Sequence, residues 1–193
     1  MMTDQDEILG VFKKTEALLE GHFQLTSGLH SNRYFQCALV LQHPEHCSML
    51  SEQLKEKLIS EVGQPDIVVG PALGGVTLAY ELARAFGVNG IFAERKDGQM
   101  SIRRGFQIKP GQKVLVVEDV VTTGGSVKEV IEVLKDFEAD IIGVASIVDR
   151  SNGTAEFAYP FVPLIKMEVQ TYTQETCLMC KSKLPLTKPG SRK

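Results

Sequence analysis

Three runs in this chain are apolar without alternation: "DIVVG" (66–70), "KVLVVED" (113–119) and "DIIGVASIVD" (140–149). A strand with one wet face alternates apolar and polar residues. These do not, so both of their faces must be covered. The segments between them have helical spacing. One spans 74–86 and is stopped by Gly87, and another spans 126–137. Strand–helix–strand repetition with buried strands predicts an α/β fold, a parallel sheet with helices against it. Right-handed crossovers then line up the loops that follow the strands along one edge, where such sheets bind ligands.

The flanking sequence is less regular. Residues 4–20 carry Ile8, Val11, Phe12, Leu18 and Leu19 between charges and predict a helix. "GHFQLTSGLHSNRYFQCALVL" predicts strands broken by turns at Gly21 and Gly28. Pro44 suits the first turn of a helix, predicted over 45–62. "VNGIFAERK" reads as a strand, "DGQM" as a turn and "SIRRGFQI" as extended chain, while "FVPLIKMEVQTY" supplies one more strand. The closing "KSKLPLTKPGSRK" reads as a tail that is mobile at its end. A length of 193 residues suits one domain, and a net charge of −3 argues against an extended nucleic-acid surface. No apolar run approaches the roughly 20 residues of a membrane span. "MMTDQDEILG" lacks the basic start and apolar middle of a signal peptide. The expectation is a cytoplasmic protein with neither nucleic acid nor membrane as partner.

Without a secretory signal, disulfides are not the default for Cys37, Cys47, Cys177 and Cys180. Cys177 and Cys180 form a C-x-x-C with no matching second pair, so a closed zinc site would have to borrow ligands. The plainer reading is two thiols near a tail. His43, His46 and Cys47 also cluster, at a predicted helix start. His22 and His30 read as turn residues rather than catalysts.

The chemistry concentrates in "VVEDVVTTGGS" (116–126). A buried strand ends on Glu118 and Asp119, and a helix begins near Gly125 or Ser126. The N–H groups of the first helical turn lack partners and favour an anion, so a phosphate needs no lysine here. Gly124 and Gly125 permit close approach, and Thr122, Thr123 and Ser126 add hydroxyl donors. Glu118 and Asp119 repel phosphate but accept from paired sugar hydroxyls, or hold a metal. No G-x-G-x-x-G is present, and "GPALGGVT" has Val76 where a Walker A loop has lysine. A phosphorylated sugar remains.

At this point the sequence resembles a known family. "VLVVEDVVTTGGS" is similar to the phosphoribosyl pyrophosphate signature of type I phosphoribosyltransferases. "FQLTSGLHSNRYF", the strand ending in "VDR", and "CLMCKSKLPLTKPGSR" narrow the resemblance to the orotate phosphoribosyltransferase family, in a short bacterial and archaeal branch. The resemblance implies the type I phosphoribosyltransferase fold: a central, mostly parallel sheet flanked by helices, with a small N-terminal lid (hood). The α/β core would span 45–150, and 1–44 with part of 151–193 would form the lid and tail. The implied reaction joins orotate and phosphoribosyl pyrophosphate into orotidine 5′-monophosphate and pyrophosphate, in pyrimidine (UMP) synthesis. Magnesium would be the cofactor, held mainly by substrate and not directly by protein.

The same resemblance implies residue roles. Glu118 and Asp119 would hold the ribose hydroxyls. Thr122, Thr123, Gly124, Gly125 and Ser126 would wrap the 5′-phosphate, with Val120 and Val121 also among the residues that bind phosphoribosyl pyrophosphate. Ala72, Leu73 and Gly74 would contact pyrophosphate. Arg95 and Lys96 would begin a mobile loop shared across a homodimer interface, with Lys96 and Asp119 serving catalysis. Thr122, Arg150, Tyr34 and Phe35 would meet orotate. The plainer readings are a strand-end ion pair for Arg150 and lid packing for Tyr34 and Phe35. This chain also departs from the family pattern. Thr26 and Gly74 stand where many members have lysine, and "ERKDGQMSIRRGF" is short and lacks histidine. The loop cation would then be Arg95, Lys96, Arg103 or Arg104, although the last two also suit a solvated strand face. Two alternatives remain open: transfer to another base such as uracil or a purine, and a regulator that senses phosphoribosyl pyrophosphate.

Overall fold

The computed structural model describes residues 4–25 and 27–189. In chain order the elements are α1 (Asp4–Lys14), β1 (Leu18–Gln24), β2 (His30–Phe35), α2 (Ala38–Leu41), α3 (Pro44–Glu61), β3 (Ile67–Pro71), α4 (Gly74–Phe86), β4 (Asn89–Lys96), β5 (Gln99–Ile102), β6 (Lys113–Val121), α5 (Gly125–Lys135), β7 (Asp140–Asp149), β8 (Phe161–Lys166), β9 (Thr171–Tyr172) and α6 (Leu178–Lys181). They fall into two compact units, one of residues 1–40 with 168–193 and one of 41–167. No helix of the described residues is long and apolar enough to cross a membrane.

The larger unit holds a sheet of order β5-β4-β3-β6-β7-β8. Every neighbouring pair is parallel except β4–β5 at the edge. Ile67, Val69, Val114 and Val116 pack with Val127, Val130, Ile131 and Leu134 of α5. Strand alternation sends the equally buried Val68, Leu115 and Val117 to the other face. There α4 lies against β3, β4 and β6, and α3 lies against α4 and β8. Helix α4 buries Leu78, Ala79, Leu82, Ala83 and Phe86, one stripe at helical spacing, and closes on Gly87 in the left-handed region at φ 72°. Strand β3 meets α4 with no room for a side chain, since a Cβ on Gly70 would come 2.4 Å from the Gly75 carbonyl oxygen.

The order of strands reverses between β3 and β6. From β3 the chain passes through α4 to β4 on one side, and from β6 through α5 to β7 on the other. The carboxyl ends of β3 and β6 therefore open the crevice where sheets of this type take ligands.

The smaller unit holds the sheet β1-β2-β9, antiparallel at both pairings. Phe12 and Phe35 meet edge to face in its core, with ring centroids 6.1 Å apart. Several expectations change here. Helix α1 ends at Lys14, and Leu18 and Leu19 belong to β1. The chain does not turn at Gly21 but continues through it as strand, with a register shift between Glu20 and Phe23. Gly28 does turn, at φ 84°. "ALVL" is the short helix α2 rather than strand. The strand expected from "FVPLIKMEVQTY" is divided: β8 extends the large sheet and β9 the small one. Thr26 and the last residues of the tail lie outside the described residues.

Candidate active site

Two turns meet at the reversal. The first, 70–75, joins β3 to α4. It contains a cis peptide between Ala72 and Leu73 and exposes Leu73 at its tip. The second joins β6 to α5. Gly124 caps α5 in the left-handed region at φ 74°, where a side chain would be strained. A Cβ there would also meet the Phe157 ring at 2.7 Å. The first N–H groups of α5 open beside the exposed Thr122, Thr123 and Gly125, with Ser126 half-buried. The turn has the geometry of an anion cradle built from backbone donors.

The acids sit between the two turns. Strand β6 runs on through Val121, so Glu118, Asp119 and Val120 are strand residues whose direction the sheet fixes. Asp119 accepts from the Val120 N–H at 2.9 Å through Oδ1, and Glu118 accepts from the Asp119 N–H at 3.3 Å. A Cβ on Gly74 would lie 2.6 Å from Asp119 Oδ1. The residue where many family members carry lysine is therefore a glycine that leaves room for this carboxylate.

Burial and the neighbouring Asp119 carboxyl push the Glu118 pKa up to about 9, partly offset by Arg95. Burial also raises Asp119. Two close carboxyls that cannot both ionise easily are a site prepared for positive charge or for hydroxyl donors. A sign follows for stability. A carboxyl that holds its proton more tightly in the folded chain stabilises the fold below its ordinary range. That contribution is lost as pH rises toward 9. Without substrate, Glu118→Gln should therefore raise Tm at pH 9 by about 2–8 °C, for about 1–2 kcal/mol in this partly screened pair. The gain should vanish at pH 4. Thermal melts across that range check it, and an equal gain at both ends would remove the ionisation from the account.

Arg95, at the end of β4, donates to Glu129 through two nitrogens at 2.9 and 2.8 Å and to Ser126 Oγ at 3.3 Å. It is thus held beside the first turn of α5. Lys96 is exposed and makes no ion pair among the described residues. The segment beyond them, read as a turn and then extended chain, is a hairpin that turns at Asp97–Gly98 and pairs Lys96 with Gln99. Arg103 and Arg104 lie in the turn after β5 rather than on a strand face; Arg104 forks onto Glu94 at 3.0 and 2.9 Å and Arg103 reaches the same carboxylate at 3.3 Å.

Arg150 directly follows β7 at the same edge, its N–H donating to the Val121 carbonyl at 2.8 Å, one residue before Thr122. Within the smaller unit, Phe35 is buried against Phe12, so the packing reading holds for it. Tyr34 is half-buried beside Phe23, with ring centroids 5.9 Å apart. Sequence reasoning missed Glu129, which has the spacing of an ordinary helix-surface acid and gains meaning only from Arg95. It also missed Phe157, which closes on Gly124.

Paired carboxylates on a strand of a mostly parallel sheet, followed by a helix N-terminus open to an anion, fit the phosphoribosyl-transferring class. The family model described as phosphoribosyl transferase domain matches residues 40–178. A relative from Carboxydothermus hydrogenoformans named orotate phosphoribosyltransferase is 52% identical, over 97% of this chain and 98% of its own. One of the same name from Heliobacterium modesticaldum is 54% identical, over 97% and 98%. The crystal structure of orotate phosphoribosyltransferase from Aeropyrum pernix superposes with a TM-score of 0.70 at 27% identity, covering 83% of this chain and 93% of that one. The chain belongs to the orotate phosphoribosyltransferase family.

Proposed function

We propose that this protein transfers the 5-phosphoribosyl group of phosphoribosyl pyrophosphate to orotate, giving orotidine 5′-monophosphate and pyrophosphate for UMP synthesis. One observation carries the residue assignment: the phosphate cradle, the acid pair and the β3–α4 turn converge at the sheet reversal, with Gly74 against Asp119. Thr122, Thr123, Gly124, Gly125 and Ser126 hold the 5′-phosphate, and Glu118 and Asp119 accept from the ribose hydroxyls. Ala72, Leu73 and Gly74 face the pyrophosphate, with Arg95 and Lys96 as its cations. Arg150 takes the orotate carboxylate in a bidentate fork, beside Thr122.

The C1′–oxygen bond breaks with its electron pair leaving on pyrophosphate, the bond from C1′ to the orotate ring nitrogen forms, and the proton of that ring N–H passes to a pyrophosphate oxygen. The sugar passes through a cationic, oxocarbenium-like state. Carboxylates already fixed beside the ring stabilise that charge without reorganising. Substrate hydroxyls or positive charge at the acid pair favour its ionised form, so binding should release protons. The oxygen-only donors Glu118 and Asp119 suit magnesium rather than a soft metal. Held mainly by substrate oxygens, magnesium would neutralise the departing pyrophosphate. The resemblance further supports a cytoplasmic homodimer in which the segment after Arg95 reaches the partner's site.

The test is turnover with magnesium and phosphoribosyl pyrophosphate, following the ultraviolet absorbance of orotate and, in parallel, of uracil, adenine, guanine and xanthine. Consumption of orotate alone is expected. Turnover of another base in its place would move the protein to a different specificity, and turnover of none would favour the sensing role.

A further inference from the structure

The C-x-x-C that lacked a partner pair finds one in the smaller unit. Cys177 and Cys180 flank the start of α6, while His22 lies on β1 and His30 on β2. One ligand atom from each of the four lies within 4.8 Å of every other. His22, His30 and Cys177 are buried and Cys180 is half-exposed. His22 and His30 are therefore strand residues in a polar cluster, not turn residues. This is the sole group of three or more such ligands among the described residues. The expected neighbours His43, His46 and Cys47 do not form one.

The distances match one ion more closely than they match a hydrogen-bond network. His22 Nε2 lies 3.5 Å from Cys177 Sγ, 3.6 Å from Cys180 Sγ and 2.9 Å from His30 Nδ1. His30 Nδ1 lies 3.2 Å from Cys180 Sγ. Tetrahedral zinc, with Zn–S of about 2.3 Å and Zn–N of about 2.0–2.1 Å, sets nitrogen–sulfur edges at about 3.5 Å and nitrogen–nitrogen edges at about 3.3 Å. Four of the six edges thus lie within about 0.4 Å of a zinc tetrahedron, and all six lie within 4.8 Å. Three groups crowd one ring nitrogen that can share a single proton with one of them. A cation at the centre satisfies all four at once.

Orientation points the same way. His22 Nδ1 lies 2.9 Å from the Leu184 carbonyl oxygen, which can only accept. Nδ1 therefore carries the proton, and the Nε2 lone pair faces the cluster. A carbonyl on the remote nitrogen is the arrangement that orients metal-ligating histidines. All four cysteines are free thiols, so no disulfide competes for this pair. Two thiolates and two imidazoles are a soft, four-coordinate set suited to zinc and unsuited to magnesium or calcium. With no position left open, the site is structural.

We propose that His22, His30, Cys177 and Cys180 bind one structural zinc ion that ties the β1–β2 hairpin to the C-terminal segment. The backbone around it is already shaped for this. The Thr187 N–H donates to the His22 carbonyl and the Gln24 N–H to the Thr187 carbonyl, both at 2.8 Å, and β9 pairs with β2 at His30 and Ser31. A small unit with a limited core gains most from such a staple.

The experiment uses the full chain, untagged and purified under reductant, with zinc and iron measured by elemental analysis. About one zinc per chain is expected, and Cys47→Ser should keep it while Cys180→Ser loses at least about tenfold in occupancy. Chelation should lower Tm by at least about 5 °C, reversed by added zinc chloride. Should Cys180→Ser fail to fold, cobalt(II) titration of the chelated wild type provides a second readout. It should give tetrahedral d–d bands with thiolate charge transfer at one equivalent. Metal-free protein that melts unchanged after zinc addition overturns the assignment. So does iron in place of zinc, or a six-coordinate cobalt spectrum.

Discussion

Asp119→Asn should lower kcat for orotate phosphoribosylation by about 10²–10³-fold, the usual cost of removing one preorganised electrostatic group. The substitution keeps the side chain's shape and deletes its charge. Position is not in question, because sheet hydrogen bonding fixes β6 and the Val120 N–H anchors Oδ1. The ribose ring is neutral in the ground state and cationic only in passage, so the loss should fall on kcat more than on KM for phosphoribosyl pyrophosphate. Glu118→Gln, which removes the other carboxylate of the pair, should show the same pattern. Initial rates at saturating substrates decide it. A decrease below about fivefold would remove Asp119 from charge stabilisation.

Arg150→Ala should raise KM for orotate by about 10–150-fold, the equivalent of about 1.5–3 kcal/mol for a charged hydrogen bond. KM for phosphoribosyl pyrophosphate should change by less than about twofold. The asymmetry follows from placement: Arg150 directly follows β7, while the proposed phosphate turn follows β6. Arg150→Lys should fall between, because an ammonium keeps the charge and loses the fork. Equal losses on both substrates would assign Arg150 to holding the sheet edge.

The large unit was legible because its signals are local. Unalternated valine runs announce strands covered on both faces, Gly87 marks a helix end, and the acid–hydroxyl–glycine order of 118–126 describes one turn. The smaller unit was less legible because its structure depends on contacts distant in sequence. Leu18 and Leu19 fit the helical spacing of the residues before them, and only pairing with Phe35 and Tyr34 makes them strand. Gly21 looks like a turn, yet the antiparallel neighbour keeps it in the sheet. Phe35 and Tyr34 carry the same aromatic signal, and burial alone separates them. The histidine–cysteine cluster joins residues more than 140 positions apart, which no spacing rule connects. The C-x-x-C advertised half of it, and topology supplied the remainder.

The division of the chain also sets an order of assembly. Residues 41–167 form one continuous stretch, complete while residues 168–193 are still being made. Domains fold as they emerge, at about 5–20 residues per second, so the sheet that carries the acid pair can form on the ribosome. The hairpin of β1 and β2 is made first but cannot finish. It waits, with His22 and His30 uncovered, for β9 and the two cysteines to arrive. The hairpin is thus completed only by a segment that follows the whole of the larger unit. A chain without residues 168–193 would keep every strand of the larger sheet and leave the hairpin unsealed.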